Sequence, residues 1–251
     1  MNLSDEVVLA EENYLEAWRL LASAASGDAV VETDDLLFTC APVPVQQFNC
    51  AFVRPHVDPA DCVDAAKAFF GGRGTPFTFH FRAESEFEPD HSLKSAGLVS
   101  AGSTPLMVAS SAQVGGVGDV EIRQVDEVSW PAHISTMAEG FGMPLDLLET
   151  VMPSALVTSP AYAAFNAYLD GSVVSTSALI VSNDVAGVYN VATPEAYRGR
   201  GFGGATTQAA VAEGLRRGCA YTTLQASEMG YRLYAQMGYR TVVQWCHYTG
   251  T

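Results

Sequence analysis

The sequence predicts a mixed α/β fold, an α+β mixed sheet built as two successive units with a similar order of elements. Segments rich in β-branched and aromatic residues alternate along the chain with segments of helical periodicity. A glycine- and arginine-rich stretch, VATPEAYRGRGFGG at 191–204, stands between a strand-like and a helix-like segment. The 251 residues suffice for two compact units of about 120 residues each.

The N-terminal half begins with a predicted helix. Ser4 can cap it, Asp5 and Glu6 in its first turn favour the positive end of the helix dipole, and Gly27 ends it. Two strands follow at 36–40 and 47–54, then a helix at 59–70 and a strand at 76–82. A short helix that contains Leu93 ends at Gly97, and a last strand is expected at 104–109. Residues 110–119, SSAQVGGVGD, have the composition of a linker.

The C-terminal half has the predicted order β-α-α-β-β-β-α-β-α-β. Its strands are expected at 120–125, 161–169, 172–181, 185–191, 221–226 and about 242–248, and its helices at 129–141, 145–151, 205–217 and from Ser227 to Gly238. Asp170-Gly171 and Asn183-Asp184 favour tight turns between consecutive strands.

The stretch at 191–204 has the residues of an anion-binding turn. Its glycines, Gly199, Gly201 and Gly203, allow sharp turning and bring backbone N–H groups close to a ligand. The helix that starts there adds unpaired N–H donors and a partial positive charge. Arg198 and Arg200 contribute guanidinium groups, which pair with phosphate in bidentate geometry.

Two other interpretations of this turn are open. The pattern G-x-x-x-x-G-K-[ST] is absent, which argues against a P-loop nucleoside triphosphatase. Gly199, Gly201 and Gly204 match G-x-G-x-x-G, so a dinucleotide site is one alternative, although fewer than 50 residues follow instead of several βα units. An ordinary basic turn between a strand and a helix is the other.

The turn also carries a resemblance to a known family. Arg198-x-x-Gly201-x-Gly203 resembles the R/Q-x-x-G-x-G/A pyrophosphate loop of the GNAT-type N-acetyltransferase superfamily. That family commonly ends with a segment of the type N-x-x-A-x-x-L-Y-x-x-x-G-F, whose core is kept here at Leu233, Tyr234, Gly238 and Tyr239. Ser227 and Gly230 replace the usual Asn and Ala, which weakens the amide contact expected to the cofactor arm.

The resemblance covers about residues 119–250 and implies the acyl-CoA N-acyltransferase (GNAT) fold, with acetyl-CoA as acyl-donor cosubstrate and no metal. It implies that the strand before the turn splays from its neighbour and offers backbone groups to the acetyl and pantetheine parts, at Asn190, Val191, Ala192 and Thr193. It further implies a pyrophosphate site at Arg198, Gly199, Arg200, Gly201, Phe202, Gly203 and Gly204, with Ser227 beside the cofactor arm.

Tyr234 resembles the tyrosine that protonates the coenzyme A sulfur in this family. A phenol with an unperturbed pKa near ~10 is a neutral donor at physiological pH. The alternative is a buried aromatic ring that only packs the last helix.

The general base is less well specified by the sequence. Glu139 lies beside Gly140 and is the candidate, while Glu195 and Glu228 lie near the cofactor segments; a solvated surface carboxylate is the alternative for all three. Tyr189, on the splayed strand, is another possible site residue. An apolar acceptor pocket or ordinary core packing explains Phe141, Met143, Phe165 and Tyr168 equally well.

The two halves look like a tandem pair of GNAT-like units, at 1–112 and 119–251. Leu93-x-x-x-Gly97-Leu98 parallels Tyr234-x-x-x-Gly238-Tyr239. Leu93 offers no phenol, and no R-x-x-G-x-G turn precedes the helix at 59–70, so the first copy is expected to be degenerate. Two unrelated α/β folds with the same order are the alternative.

Composition limits the possible partners. The formal charge of −15 argues against nucleic acid as a partner, because nucleic-acid binding needs a basic surface. It favours a cationic amine as substrate; the alternative is that the negative charge only aids solubility. No apolar run reaches membrane-spanning length, and the acidic N-terminus does not resemble a secretory signal. Five cysteines without C-x-x-C spacing favour reduced thiols in the cytoplasm. His133 is expected to be structural.

The sequence therefore predicts an acyl-CoA-dependent N-acyltransferase that acetylates a primary amine of a small molecule by direct transfer in a ternary complex. A protein or peptide N-acetyltransferase and a non-catalytic acyl-CoA-binding regulator are the alternatives. The acceptor, the acyl-chain length and the choice between monomer and homodimer stay open.

Overall fold

The structure, a computed structural model, describes residues 3–25, 30–83, 87, 89–110 and 120–251. The chain divides into two compact units. Unit 1 comprises Met1–Ala17 and Leu106–Val242, and unit 2 comprises Trp18–Pro105 and Val243–Thr251.

Unit 2 contains a mixed sheet of six strands, counting the start of β5, and helices. Its elements include part of helix α1 (Leu3–Ala25), strands β1 (Val30–Glu32), β2 (Leu36–Cys40) and β3 (Asn49–Val53), helix α2 (Pro59–Gly71), β4 (Phe77–Arg82), helix α3 (Asp90–Ser95), the start of β5 (Val99–Ala109) and most of the last strand, Arg240–Gly250. The sheet runs β1, β2, β3, β4, that last strand and β5. Strands β3 and β4 pair in parallel, whereas β1 with β2, β2 with β3 and β4 with the last strand pair antiparallel. Stacked aromatic rings fill the core, as in Phe38–Phe69 and Phe70–Phe77.

Unit 1 contains a six-stranded sheet. After the end of β5 come β6 (Glu121–Gln124), helices α4 (Trp130–Phe141) and α5 (Leu145–Val151), β7 (Tyr162–Leu169), β8 (Ser172–Ser182), β9 (Val185–Ala192), α6 (Phe202–Arg216), β10 (Tyr221–Gln225), α7 (Glu228–Gln236) and β11 (Arg240–Gly250). Its strand order is β5-β10-β9-β8-β7-β6, and only β9 and β10 are parallel.

The two predicted hairpin turns of unit 1 are confirmed. Asp170 and Gly171 have φ angles of 50° and 80°, and Asn183 and Asp184 have 48° and 60°. Positive φ at both central residues is the requirement of a type I′ turn, which suits Asn, Asp and Gly.

Several boundaries differ from the prediction. β1 was not expected, β5 begins at Val99 instead of 104, and α6 begins at Phe202 instead of 205. A 3₁₀ turn at Gln46–Phe48 takes the start of the strand predicted at 47–54. The predicted helix end at Gly27 and, apart from Ser110, the predicted linker lie outside the described residues.

The compact units are not two contiguous stretches of chain. In unit 1, the end of β5 pairs with β10, so a strand from the N-terminal half completes the sheet of the C-terminal half. In unit 2, β11 pairs with β4, so a strand from the C-terminal half extends the sheet of the N-terminal half. The boundaries 1–112 and 119–251 stay a prediction about the repeated halves. In the described part of the chain, no helix has the length and apolar character needed to cross a membrane.

Candidate active site

Strand β9 separates from β10 before it reaches the glycine-rich turn. The parallel pairing joins Tyr221 to Val185, Thr222 to Ala186 and Thr223 to Gly187. Within the described residues the pairing goes no further, although β9 continues to Ala192. The last five residues of β9, 188–192, therefore have no pairing partner in β10.

A β-bulge re-aims the end of β9. The pairing of β9 with β8 shifts register between Thr176 and Ala178, so that β9 holds one extra residue there. Asn190 lies in the bulge with φ of 54°, a left-handed conformation that asparagine tolerates better than most residues. The Thr176 hydroxyl donates to the Asn190 carbonyl at 3.1 Å and holds the bulge in place.

Buried hydroxyl groups of β8 fix the residues that follow the bulge. The Ser175 hydroxyl donates to the Ala192 carbonyl at 3.1 Å and lies 2.9 Å from the Thr193 hydroxyl. Ser175 is fully buried. The positions from Asn190 to Thr193, which the resemblance implies as contacts of the acyl donor, thus form one rigidly held segment at the edge of β9.

The glycine-rich turn leaves backbone donors unused. Gly199 and Gly201 have φ angles of 73° and 84°, and no side chain caps α6. The first helical bond runs from the Ala205 N–H to the Gly201 carbonyl at 3.0 Å. The N–H groups of Gly203 and Gly204 therefore precede the intrahelical bonds, and no acceptor for them occurs in the described part of the chain. Unpaired N–H groups at a helix start are the donors that an anion site needs.

Arg198 does not project freely from this turn. Its Nε donates to the Thr193 carbonyl at 3.0 Å, and its Nη2 donates to the Gly140 carbonyl at 2.9 Å. The guanidinium therefore ties the turn to the end of β9 and to the last turn of α4. Arg200 is exposed, with its guanidinium 4.8 Å from the ring centre of the buried Phe202.

Glycines allow α4 and α6 to approach the end of β9. A Cβ at Gly140 would lie 2.9 Å from the Ala192 Cβ and 3.0 Å from the Thr193 nitrogen. A Cβ at Gly203 would lie 3.3 Å from the Thr193 hydroxyl oxygen. Gly140 and Gly203 therefore serve close packing against the end of β9.

Tyr234 lies at the inner face of α7, with 7% of its surface exposed. Burial raises the pKa of Tyr234 to about 12, against a smaller opposite effect of the Thr207 hydroxyl. The phenol is consequently protonated at neutral pH. A Cβ at Gly230 would lie 2.8 Å from the Tyr234 ring.

Ser227 begins α7. Its hydroxyl oxygen accepts a hydrogen bond from the Gly230 N–H at 3.2 Å, the arrangement of a helix N-cap. Its predicted contact with the cofactor arm stays a prediction.

The candidate carboxylates are all exposed, at Glu139, Glu195 and Glu228. Phe165 belongs to the core of unit 1, which agrees with core packing, whereas Phe141 is 44% exposed. His133 is buried with Nδ1 2.7 Å from the Asn166 side-chain oxygen, and burial lowers its pKa to about 4. His133 is structural, as predicted.

Sequence reasoning missed the residues that shape β9 from outside the motif. They are Asn13, Ser175 and Thr176, which bond to β8 or β9 through side chains. Asn13 left one signal, a polar residue among the apolar positions of the first helix.

Comparison with known proteins agrees with this geometry. A model of the Acetyltransferase (GNAT) family matches residues 124–239. No curated protein matches the sequence.

Solved structures resemble the whole chain in fold. A GCN5-related N-acetyltransferase from Kribbella flavida has a TM-score of 0.71 at 18% identity over 94% of each chain. One from Sphaerobacter thermophilus has a TM-score of 0.66 at 15% identity over 89% of this chain and 82% of its own. A tandem GNAT protein from the clavulanic acid biosynthesis pathway has a TM-score of 0.55 at 11% identity, over 100% of this chain and 96% of its own.

Proposed function

We propose that this chain, whose residues 124–239 match the model of the acetyltransferase (GNAT) family, is an acyl-CoA-dependent enzyme that transfers the acetyl group of acetyl-CoA to a primary amine of a small molecule. The observation that carries the proposal is the pair of unused backbone edges. One is the set of N–H groups at the start of α6, and the other is the end of β9 beyond its pairing with β10.

The start of α6 suits the pyrophosphate of the donor. N–H groups of Gly203 and Gly204 lie at the positive end of a 15-residue helix dipole. Arg200 is exposed beside them and adds a cation. Arg198 supports the site indirectly, because its guanidinium already bonds to two carbonyls.

The end of β9 suits the acyl and pantetheine parts of the donor. Amide groups beyond the bulge offer donors and acceptors along an extended edge, in the way a strand pairs with a peptide-like partner. The positive φ of Asn190 turns its backbone groups out of the regular ladder, which provides a hydrogen-bond donor for the thioester carbonyl.

The transfer itself needs two proton movements. A neutral amine attacks the acetyl carbonyl, the new C–N bond forms, and the C–S bond breaks to release the thiolate. The Tyr234 phenol holds the proton that the thiolate accepts, since its raised pKa keeps it protonated. The proton lost by the amine passes to a carboxylate, for which Glu139, adjacent to Gly140 at the end of β9, is the candidate.

The formal charge of −15 supports a cationic acceptor, because a negatively charged surface attracts cations at the distances over which substrates are steered. The anionic donor meets instead the exposed Arg200 and the N–H groups at the start of α6. A small amine, protonated in solution and deprotonated in the site, fits this field.

The first experiment measures thermal unfolding with acetyl-CoA, coenzyme A and NADH side by side. A ligand at 100 times its Kd adds about 2.7 kcal/mol to stability. We expect stabilisation by acetyl-CoA and coenzyme A alone. Stabilisation by NADH alone would restore the dinucleotide interpretation, and no effect of any ligand would contradict the proposal.

A second experiment compares two exposed arginines near opposite ends of the α6 segment. Arg198→Ala removes the bonds to Thr193 and Gly140 and should weaken acetyl-CoA binding by about 1–3 kcal/mol, measured by titration calorimetry. Arg216→Ala is the matched control, since Arg216 pairs with Glu213 at the far end of the helix. Equal affinities of both variants and the parent would remove Arg198 from the site.

An amine screen then separates the acceptor classes. Release of coenzyme A with small amines, and none with peptides, is the expected result. Turnover only with peptide N-termini or lysines would replace the small-molecule acceptor by a protein one.

A further inference from the structure

A buried asparagine of α1 contacts the strand that precedes the glycine-rich turn. Asn13 is fully buried. Its Nδ2 lies 3.1 Å from the carbonyl oxygens of Ile180 and Val185 and 2.9 Å from the Ser182 hydroxyl. Its Oδ1 accepts a hydrogen bond from the Tyr189 phenol at 2.8 Å. One carboxamide therefore joins the β8–β9 hairpin at four points.

The site of this contact coincides with the point at which β9 leaves β10. A Cβ at Gly187 would lie 2.0 Å from the Asn13 Oδ1 and 2.4 Å from the Tyr189 ring, so only glycine leaves room for both. Gly187 is also the residue of β9 in the last pair with β10, opposite Thr223. The asparagine thus occupies the surface of β9 where the parallel pairing ends.

Tyr189 connects this point to the bulge. It is the last β9 residue in the regular register with β8, and Asn190, with its positive φ, follows directly. Burial raises the Tyr189 pKa well above its ordinary value, so the phenol keeps the proton that it donates to Asn13. A strand segment between a paired end and a bulge needs such an anchor, because it lacks ladder bonds on one side.

We propose that Asn13 and Tyr189 are positioning residues for the acyl donor. Together they fix the direction in which β9 departs from β10, and hence the backbone groups from Asn190 to Thr193 that face the donor. The proposal rests on the proposed function for the identity of that ligand. It also makes the first part of α1 a component of the acetyltransferase unit, outside the segment that matches the family.

The test uses Tyr189→Phe and Asn13→Ala in the full chain. Tyr189→Phe deletes only the phenol oxygen, so the protein keeps its packing even if Asn13→Ala folds poorly. Asn49→Ala is the matched control: Asn49 is also fully buried and its Nδ2 donates to two carbonyls, those of Val43 and Val45, but it belongs to unit 2. Amide hydrogen exchange of residues 185–193 and the KM for acetyl-CoA are measured for each variant.

In both variants we expect faster amide exchange in β9 and a KM for acetyl-CoA raised by about tenfold or more. Small displacements of positioning groups have large kinetic effects. The control should lose stability without either effect. Unchanged exchange of β9 would overturn the proposal, and so would faster exchange with an unchanged KM. If the parent protein binds no acetyl-CoA, the proposed function fails by that result, while the exchange of β9 still decides whether Asn13 fixes the strand.

Discussion

The two units each contain a parallel strand–helix–strand crossover, and the crossovers differ at one turn. In unit 1, β9 leads to α6 through a turn in which Gly201 stands at the helix start without a side-chain cap. In unit 2, β3 leads to α2 through a turn in which the Asp58 carboxylate accepts the Ala60 N–H at 2.9 Å and Pro59 takes the first helical position. A carboxylate and a proline occupy the place where the other helix offers free donors.

The ends of the same helices are alike. The Cys219 N–H donates to the Gly214 carbonyl after α6, and the Thr75 N–H donates to the Phe70 carbonyl after α2, each across a glycine with positive φ, Gly218 or Gly74. This is the Schellman arrangement of a helix C-terminus.

The short helices that follow repeat the same ending. The Tyr239 N–H donates to the Tyr234 carbonyl, and the Leu98 N–H donates to the Leu93 carbonyl, both at 3.0 Å. The units therefore share these local features and differ at two places: the start of α6 is uncapped where Asp58 caps α2, and Tyr234 stands where the other unit has Leu93. This is the difference that the predicted degenerate copy requires.

The largest expected effect comes from the phenol that only one unit has. Tyr234→Phe should lower kcat by about 10²–10⁴-fold, because the thiolate then leaves without a proton donor. Steady-state kinetics with acetyl-CoA measure it. Tyr239→Phe is the control, a buried phenol that bonds the Thr222 hydroxyl at 2.7 Å. If the two variants keep similar rates, Tyr234 has only a packing role.

The next largest effect is expected when the turn before α6 receives a carboxylate, as Asp58 provides before α2. Gly201→Asp should weaken acetyl-CoA binding by about 1–3 kcal/mol beyond Gly201→Asn, because both residues tolerate positive φ and only Asp repels a phosphate. Titration calorimetry with coenzyme A compares them. Equal affinities would show that no ligand charge meets this turn.

The reverse change should affect stability alone. Asp58→Ala removes the cap of α2 and should lower the free energy of unfolding by about 1 kcal/mol, measured in urea. Acetyl-CoA affinity should stay at the value of the parent. A change in that affinity would mean that the turn of unit 2 also takes part in binding.

The smallest effect concerns the far end of α6. Hydrogen bonds from Arg216 and Arg217 lower the pKa of Glu213 to about 2, whereas α2 has no such cluster at Arg73, whose guanidinium bonds the Phe69 carbonyl. A lowered folded-state pKa adds stability above the ordinary value of 4.5, which is lost as the pH falls towards 2.

The melting-temperature difference between the parent and Glu213→Gln should therefore shrink over that range. At neutral pH it should correspond to less than about 1 kcal/mol, as for other surface pairs. A difference that stays constant down to pH 2 would contradict the pKa shift.

Local chemistry made much of the fold predictable. Asp170-Gly171 and Asn183-Asp184 specify their turns because few other residues accept positive φ. The glycine-rich turn before α6 and the Leu233–Gly238 segment were visible for a similar reason, since each depends on residues close together in sequence, although α6 begins three residues earlier than predicted. The start of β5 could not be predicted in this way, because the exposed first half of the strand lacks an apolar pattern.

By itself the sequence determined most of the order of elements, the two hairpin turns of unit 1 and the uncapped glycine-rich start of α6, because these follow from the conformational limits of glycine, proline and short polar side chains. Only the tertiary structure decided that β5 completes the sheet with β10 and β11 the sheet with β4, since strand propensity does not specify a partner. It also decided the position of Asn13 against Gly187 and Tyr189. Hydrogen bonds between residues more than 170 positions apart leave no periodic signal in a single chain.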